Sequence, residues 1–271
     1  MFINTVKNSV KKQFFIINHL YLTFIMTTIP QTLEETISQA KSALKVALDS
    51  GCNRITVDLV IPEIALKAQY LALEFAQLFK DEYGMGLKVL FPDTGAAALA
   101  RREWGETEFI VTDIGSSRTP VDTKISDTDQ IFLVVSPSSV EVALVERLCN
   151  LADDRPVILL IPQLEDVSIV GIGYAARQLR ERFISILESC YYFRPLDGSI
   201  VLRSYPHLWQ VWQQPDEEQE YQLIAEVSQK PLGETLDRIL AGQNDEENSG
   251  NSTPSLGFFG SIKSFLKALN N

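Results

Sequence analysis

Apolar residues along the chain follow two alternating periods, one typical of helices and one typical of buried strands. Between Thr32 and Leu48 they recur every three or four positions, which predicts an amphipathic helix that Gly51 terminates. Short apolar runs then alternate with further helical patterns, and these runs read RITVDLVIP, GLKVLFPD, TEFIVTDI, QIFLVVSP and RPVILLIPQ. The alternation predicts an α/β fold with a doubly wound, mainly parallel, Rossmann-like sheet.

Proline follows four of the predicted strands, at Pro62, Pro92, Pro137 and Pro162. Proline cannot donate a hydrogen bond to a neighbouring strand, so each marks the point where the chain leaves the sheet at its carboxyl edge. Open α/β sheets bind ligands at that edge. The sequence therefore predicts the carboxyl edge as the place for a small-ligand site.

The pattern changes after the predicted helix GYAARQLRERFISILESC, which ends at Cys190. The segment YYFRPLDGSIVLRSYPHLWQVWQQ is typical of strands around an Asp-Gly turn, and EYQLIAEVSQKP adds a strand before a closing helix, LGETLDRILAG. We interpret the aromatic residues here as the buried face of these strands, the alternative being a surface that stacks bases or docks a protein. The sequence predicts a C-terminal antiparallel extension of the sheet, within one domain over residues 26–241.

The first candidate ligand site follows a predicted strand end, at Asp93, Thr94 and Gly95, with Arg101 and Arg102 in the helix that comes next. An aspartate at this position more commonly caps the helix by accepting hydrogen bonds from its first turn. The functional alternative places Asp93 and the two arginines together in a polar site at the carboxyl edge.

The second candidate is the glycine pair Gly171 and Gly173, which with Ala176 has a G-x-G-x-x-A spacing. That spacing can place backbone N–H groups around a phosphate. We favour a structural turn, because the preceding segment is a weak strand and the acidic residue expected about twenty positions later would fall in the aromatic segment.

Composition and charge argue against several classes of function. The formal net charge of −11 opposes binding to phosphate backbones, so nucleic acid is not a predicted partner. The chain has two histidines, and its cysteines Cys52, Cys149 and Cys190 lie far apart in no metal or redox spacing. We therefore predict no metal, no cofactor and a reducing compartment. Neither a Walker A sequence nor a nucleophile elbow occurs, so no catalytic residue is predicted.

The two ends differ from the body of the chain. Residues 1–25 carry three lysines before an apolar run, which resembles a targeting or anchoring segment. The alternative is translation from Met26, where the helical domain pattern begins. At the other end, residues 242–254 are polar and acidic and predict a disordered linker.

Residues 255–271 predict an amphipathic helix. Its apolar stripe and the flanking lysines comprise Phe258, Phe259, Ile262, Lys263, Phe265, Leu266, Lys267 and Leu269. A short helix of this kind needs an apolar surface to fold against. We favour a membrane surface or an external partner over the chain's own domain, because aromatic residues beside lysines and the absence of acids suit an anionic interface.

Several motifs in combination resemble a domain-of-unknown-function family of oxygenic phototrophs, whose plant members include a Low PSII Accumulation protein. The likeness runs from about Ile29 to Leu240 and rests on IPQTLEETISQAKSALKVALDSG, VLFPDTGAAALARREWG, RPVILLIPQLED, GIGYAARQLRERF, YYFRPLDGSIVLRSYPHLWQVW and KPLGETLDRIL. The resemblance implies a role in assembling or maintaining photosystem II, with photosystem II subunits or assembly proteins as partners. It implies a cytoplasmic protein peripherally associated with the thylakoid membrane, and it supplies no catalytic residues.

Two hypotheses of function follow. The first is a non-enzymatic auxiliary protein that its C-terminal helix brings to a membrane or a membrane-protein partner. The alternative is an enzyme or sensor that binds a small ligand or nucleotide at the carboxyl edge, near Asp93, Gly95, Gly171 and Gly173.

Overall fold

The computed structural model describes residues 28–116, 118–164, 174–216 and 219–242. These residues form a nine-stranded sheet with helices on both faces. The strands are β1 (Arg54–Leu59), β2 (Leu87–Phe91), β3 (Ile110–Asp113), β4 (Ile131–Val135), β5 (Val157–Leu160), β6 (Glu188–Leu196), β7 (Ser199–Ser204), β8 (Trp209–Gln213) and β9 (Gln222–Val227). The α-helices are α1 (Leu33–Asp49), α2 (Ala68–Tyr83), α3 (Thr94–Trp104), α4 (Val142–Leu151), α5 (Tyr174–Arg182) and α6 (Glu234–Leu240).

The strands lie in the order β3-β2-β4-β5-β1-β6-β7-β8-β9. All pairs from β3 to β6 are parallel, and those from β6 to β9 are antiparallel. The predicted fold class is confirmed: a mainly parallel α/β sheet with an antiparallel C-terminal extension. The four strands that precede Pro62, Pro92, Pro137 and Pro162 are parallel neighbours, so these prolines share the carboxyl edge, as predicted.

One helix boundary was predicted wrongly. The pattern predicted a helix as far as Cys190, but α5 ends at Arg182, a short 3-10 turn covers Ile184–Ile186, and β6 begins at Glu188. Ser189 pairs with Thr56 of β1, and the Arg203 side chain bonds to both Glu188 and the Ser189 carbonyl. These long-range contacts outweigh the local helical preference of the segment.

The two faces of the sheet can be assigned from neighbouring residues of β6. Tyr191 and Tyr192 project to opposite faces because side chains alternate along a strand. The Tyr191 hydroxyl donates to Gln39 of α1 at 3.1 Å, so α1 and its neighbour α2 cover the Tyr191 face. The other face is covered by α4, α5 and α6 and carries two apolar clusters.

The first cluster lies under α4 and α5, and its strand members are Leu90, Phe132, Val134, Val157 and Leu159. The second lies under α6 and comprises Tyr192, Val201, Trp209, Val211 and Leu236. Strand β1 runs between them, since Thr56 pairs with Leu159 on one side and Asp58 pairs with Tyr192 on the other.

Within the described ranges, no helix is both long and apolar enough to cross a membrane. The predictions for residues 1–25, the remainder of the linker after Gly242 and the C-terminal helix concern residues outside those ranges.

Candidate functional site

Asp93 and Thr94 lie at the N-terminus of α3. The Asp93 carboxylate accepts a hydrogen bond from the Ala96 N–H at 2.9 Å, so the capping role favoured from the sequence is confirmed. Thr94 bonds through its hydroxyl to Asp113 at 3.4 Å, and Asp113 is held in turn by Lys124 at 3.0 Å. Gly95 occupies the first turn of the helix.

Arg101 and Arg102 lie in the last turn of the same helix. Eight residues of helix separate Asp93 from Arg101, about 12 Å at a rise of 1.5 Å per residue. The Arg101 guanidinium donates to the Val111 carbonyl of β3 at 2.9 Å, and Arg102 is exposed. The structure therefore does not bring the two arginines to Asp93.

The other predicted site residues lie outside the described ranges. They are Gly171 and Gly173 of the glycine motif and Phe258, Phe259, Ile262, Lys263, Phe265, Leu266, Lys267 and Leu269 of the C-terminal stripe. Their predicted roles stay predictions.

The three cysteines have free thiols, half-buried at Cys52 and buried at Cys149 and Cys190. Burial raises the pKa of the Cys149 thiol to about 12. A thiol with so high a pKa is unreactive at neutral pH. Among the described residues, no group of three or more histidine, cysteine, aspartate or glutamate side chains is placed to hold a metal ion.

A polar stripe on β1 forms a site that the sequence analysis missed. Arg54, Thr56 and Asp58 alternate along β1 and share the face that β4 and β5 fill with valine, leucine and phenylalanine. A central parallel strand is ordinarily apolar on both faces. The signal was present in RITVDLV, where a polar residue occupies every second position of a strand predicted to be central.

Asp58 is the innermost acidic group of this stripe. The Thr56 hydroxyl donates to its carboxylate at 2.6 Å. Burial away from water raises the pKa of Asp58, while the positive charge of Lys230 and the hydrogen bond from Thr56 oppose that rise. A desolvated carboxyl group beside a cation is a frequent feature of binding and catalytic sites.

Lys230 approaches this carboxyl group from the segment between β9 and α6. Its ammonium lies 4.1 Å from the centroid of the Tyr192 ring and 5.7 Å from that of Trp209. The two rings meet edge to face at 5.1 Å. Burial against them lowers the pKa of Lys230, and the charge of Asp58 opposes the fall.

Tyr192 and Arg194 lie on the same face of β6 and are the last two members of the polar site around Asp58. The Tyr192 hydroxyl is buried and has no hydrogen-bond partner. Burial raises its pKa to about 12, and the neighbouring Arg194 guanidinium opposes the rise through its charge and through a weak polar contact that lacks hydrogen-bond geometry. We name Thr56, Asp58, Tyr192, Arg194 and Lys230 the Asp58 cluster.

The backbone beside the Asp58 cluster is strained. Ile161, directly after β5, has a φ of +46°, which is unusual for a β-branched residue, and its N–H donates to the Val57 carbonyl at 2.7 Å. Such strain is often found at functional sites. The chain leaves β1 towards α2 on one face of the sheet and leaves β5 towards α5 on the other. Neighbouring strands whose connections diverge in this way form the crevice in which open α/β sheets bind ligands.

The stability of Asp58→Asn relative to the native protein should increase as the pH rises. The pKa of Asp58 in the folded state lies above its ordinary value of 3.8, so the unfolded chain loses this proton first. The native protein therefore loses stability from about pH 4 until the pH has passed the folded pKa, whereas asparagine does not titrate. Urea unfolding of both proteins at pH 4 and pH 8 measures the effect. An equal difference at both pH values would show that the pKa of Asp58 is not raised.

The fold and the Asp58 cluster define a mixed α/β protein with a buried polar site at the carboxyl edge of a mainly parallel sheet. Residues 30–238 match the family described as domain of unknown function DUF1995. The chain belongs to this family, and the resemblance seen in its motifs is confirmed to that extent. No solved structure matches the chain.

Proposed function

We propose that this protein is a non-enzymatic auxiliary factor that helps to assemble or maintain photosystem II at the thylakoid membrane. Its partners are photosystem II subunits or their assembly proteins, and its C-terminal stretch attaches it peripherally to the membrane or to a membrane-protein partner.

The observation that carries the proposal is the set of motifs from Ile29 to Leu240 that resembles the family of the plant Low PSII Accumulation protein. Membership of the DUF1995 family supports it, because the match covers almost the same residues. The family description assigns no reaction, so a role through binding is the simplest function consistent with it.

A second line of support comes from the C-terminal sequence. Its apolar stripe includes three phenylalanines and has two lysines on its flank, although the chain as a whole is strongly acidic. An amphipathic segment of this composition suits an anionic lipid surface.

The proposal is tested by affinity capture from solubilised thylakoid membranes. The full chain should retain photosystem II subunits or assembly proteins, identified by mass spectrometry, in amounts well above those retained by an unrelated acidic protein. Recovery of no photosystem II component would refute the proposed function.

Changing Phe259 and Phe265 together to aspartate should abolish binding of the full chain to anionic vesicles. Burying a large apolar side chain contributes about 1.5 to 3 kcal/mol, and interfacial burial realises part of this. Lys263 and Lys267 add about 1 kcal/mol each, so moderate salt should weaken binding without eliminating it. Co-sedimentation with vesicles containing anionic lipid measures both effects.

The matched control changes Ser264 and Asn271 to aspartate. It adds the same charge to the opposite side of the predicted helix and should still bind vesicles. Both variants should melt at the temperature of the parent protein. Sedimentation of the phenylalanine variant with vesicles would exclude attachment through this stripe, and a lowered melting temperature would place the stripe in the domain core instead.

A further inference from the structure

The Tyr192 hydroxyl is a buried polar group that the fold leaves without a partner. The residue is 1% exposed, and the hydroxyl accepts and donates no hydrogen bond. Buried hydroxyl groups are ordinarily paired, because leaving one unpaired destabilises the folded protein. A bound molecule with an accepting oxygen atom would satisfy such a group.

We propose that the Asp58 cluster binds a small oxyanion, the phosphate or carboxylate group of a small molecule, through the Tyr192 hydroxyl, Arg194 and Lys230. This site goes beyond the proposed function, since it requires neither a membrane nor a protein partner.

The charges of the cluster favour an anion. Arg194 and Lys230 supply two positive charges, and Asp58 is the acidic member. Throughout the described ranges, no carboxylate forms an ion pair with Arg194. Because burial disfavours the ionised form of Asp58, this carboxyl group opposes a neighbouring anion less than an exposed aspartate would.

The hydrogen-bonding groups favour the same class of ligand. Guanidinium and ammonium groups only donate, and the Tyr192 hydroxyl has a proton to donate. An oxyanion only accepts, so it can accept hydrogen bonds from all three groups at once, and hydrogen bonds to a charged acceptor are the stronger kind. Asp58 in its protonated form would be a further donor.

The position of the cluster agrees with a ligand site. It lies near the carboxyl end of β1, beside the strained Ile161 and at the point where the connections from β1 and β5 diverge. The Asp93 site predicted from the sequence lies at this edge, but neither candidate site predicted from the sequence includes a member of the cluster. We therefore keep the hypothesis of a small-ligand site at the carboxyl edge and assign it to different residues.

Binding is tested on the purified full chain with inorganic phosphate and acetate as probes, against sodium chloride at matched ionic strength. Trp209 provides a fluorescence signal, because its ring contacts Tyr192 and lies near the Lys230 ammonium. Phosphate or acetate should change this fluorescence saturably where chloride does not. A response to phosphate alone would identify a phosphate site, and a response to both would identify a general oxyanion site. No saturable response to either probe would overturn the proposal.

Two variants assign the site to these residues. Tyr192→Phe removes only the unpaired hydroxyl, so it should leave the melting temperature unchanged or raised and weaken binding about tenfold. Arg194→Gln should weaken binding at least as much. Tyr205→Phe, a tyrosine just beyond β7, is the matched control and should bind normally. If Tyr192→Phe binds the probes as tightly as the native protein, the hydroxyl does not contact the anion and the proposal is wrong.

Discussion

Replacing Lys88 with methionine should lower the free energy of unfolding by about 3 to 5 kcal/mol. Lys88 projects from β2 into the core, where its ammonium lies 2.6 Å from the Asp129 carboxylate. These side chains are 7% and 0% exposed, so removal of the lysine leaves a buried, uncompensated charge. The lysine also donates to the Lys124 carbonyl at 2.6 Å and thereby holds the crossover between β3 and β4 on the sheet. Thermal unfolding should show a fall of about 6 to 20 °C.

The control for this experiment is Lys41→Met. Lys41 bonds to Glu74 at a comparable distance of 2.7 Å, but the two side chains are 25% and 31% exposed. A partly exposed pair of this kind contributes about 1 kcal/mol or less. The double variant Lys88→Met with Asp129→Leu should recover part of the loss, because it removes both buried charges. Equal destabilisation by Lys88→Met and Lys41→Met would mean that burial does not govern these ion pairs.

Replacing Arg54 with methionine should lower the free energy of unfolding by about 2 to 4 kcal/mol. The Arg54 guanidinium donates to four backbone carbonyls, those of Asn53, Cys149, Asp153 and Arg155. Of these, the Cys149 carbonyl lies in the last turn of α4 and the Asp153 carbonyl lies just after the helix. Carbonyl groups at the C-terminus of a helix lack partners within the helix. Methionine keeps the apolar stem and removes every one of these donors.

Chemical denaturation of Arg54→Met measures the loss, and Arg147→Met is its matched control. Arg147 bonds to Asp122 on the surface, where both side chains are about half exposed, so its replacement should destabilise the protein much less than that of Arg54. A loss for Arg54→Met no larger than that of the control would show that water replaces the guanidinium at these carbonyls.

The fold could be predicted from the sequence to a large extent, because its elements follow strong local patterns. The prolines identified the carboxyl edge of the sheet, since their missing N–H group has the same effect in any sequence. The boundary between α5 and β6 could not be predicted, because Glu188 enters a strand through contacts with Ile55 and Arg203, residues distant in the chain or later in it. Local preference carries no information about such partners.

The candidate site was less predictable for a related reason. Asp93 stood out because it follows a strand directly, and the structure confirms its local role as a helix cap. The Asp58 cluster instead combines β1, β6 and the segment before α6, and only the order of strands in the sheet brings these together. A polar residue at every second position of β1 was the one local signal, and its meaning depended on β1 being central.

The central position of β1 also has a consequence for how the chain folds. Asp58 pairs with Tyr192, about 130 residues later, and at a synthesis rate of about 5 to 20 residues per second the ribosome needs on the order of ten seconds to make that partner. For most of this interval β1 has neither neighbour, because β5 also comes late. The pairing of β1 with both β5 and β6 can therefore be complete only when synthesis is nearly finished. Until then β1 is an unpaired apolar strand, of the kind that associates with other strands.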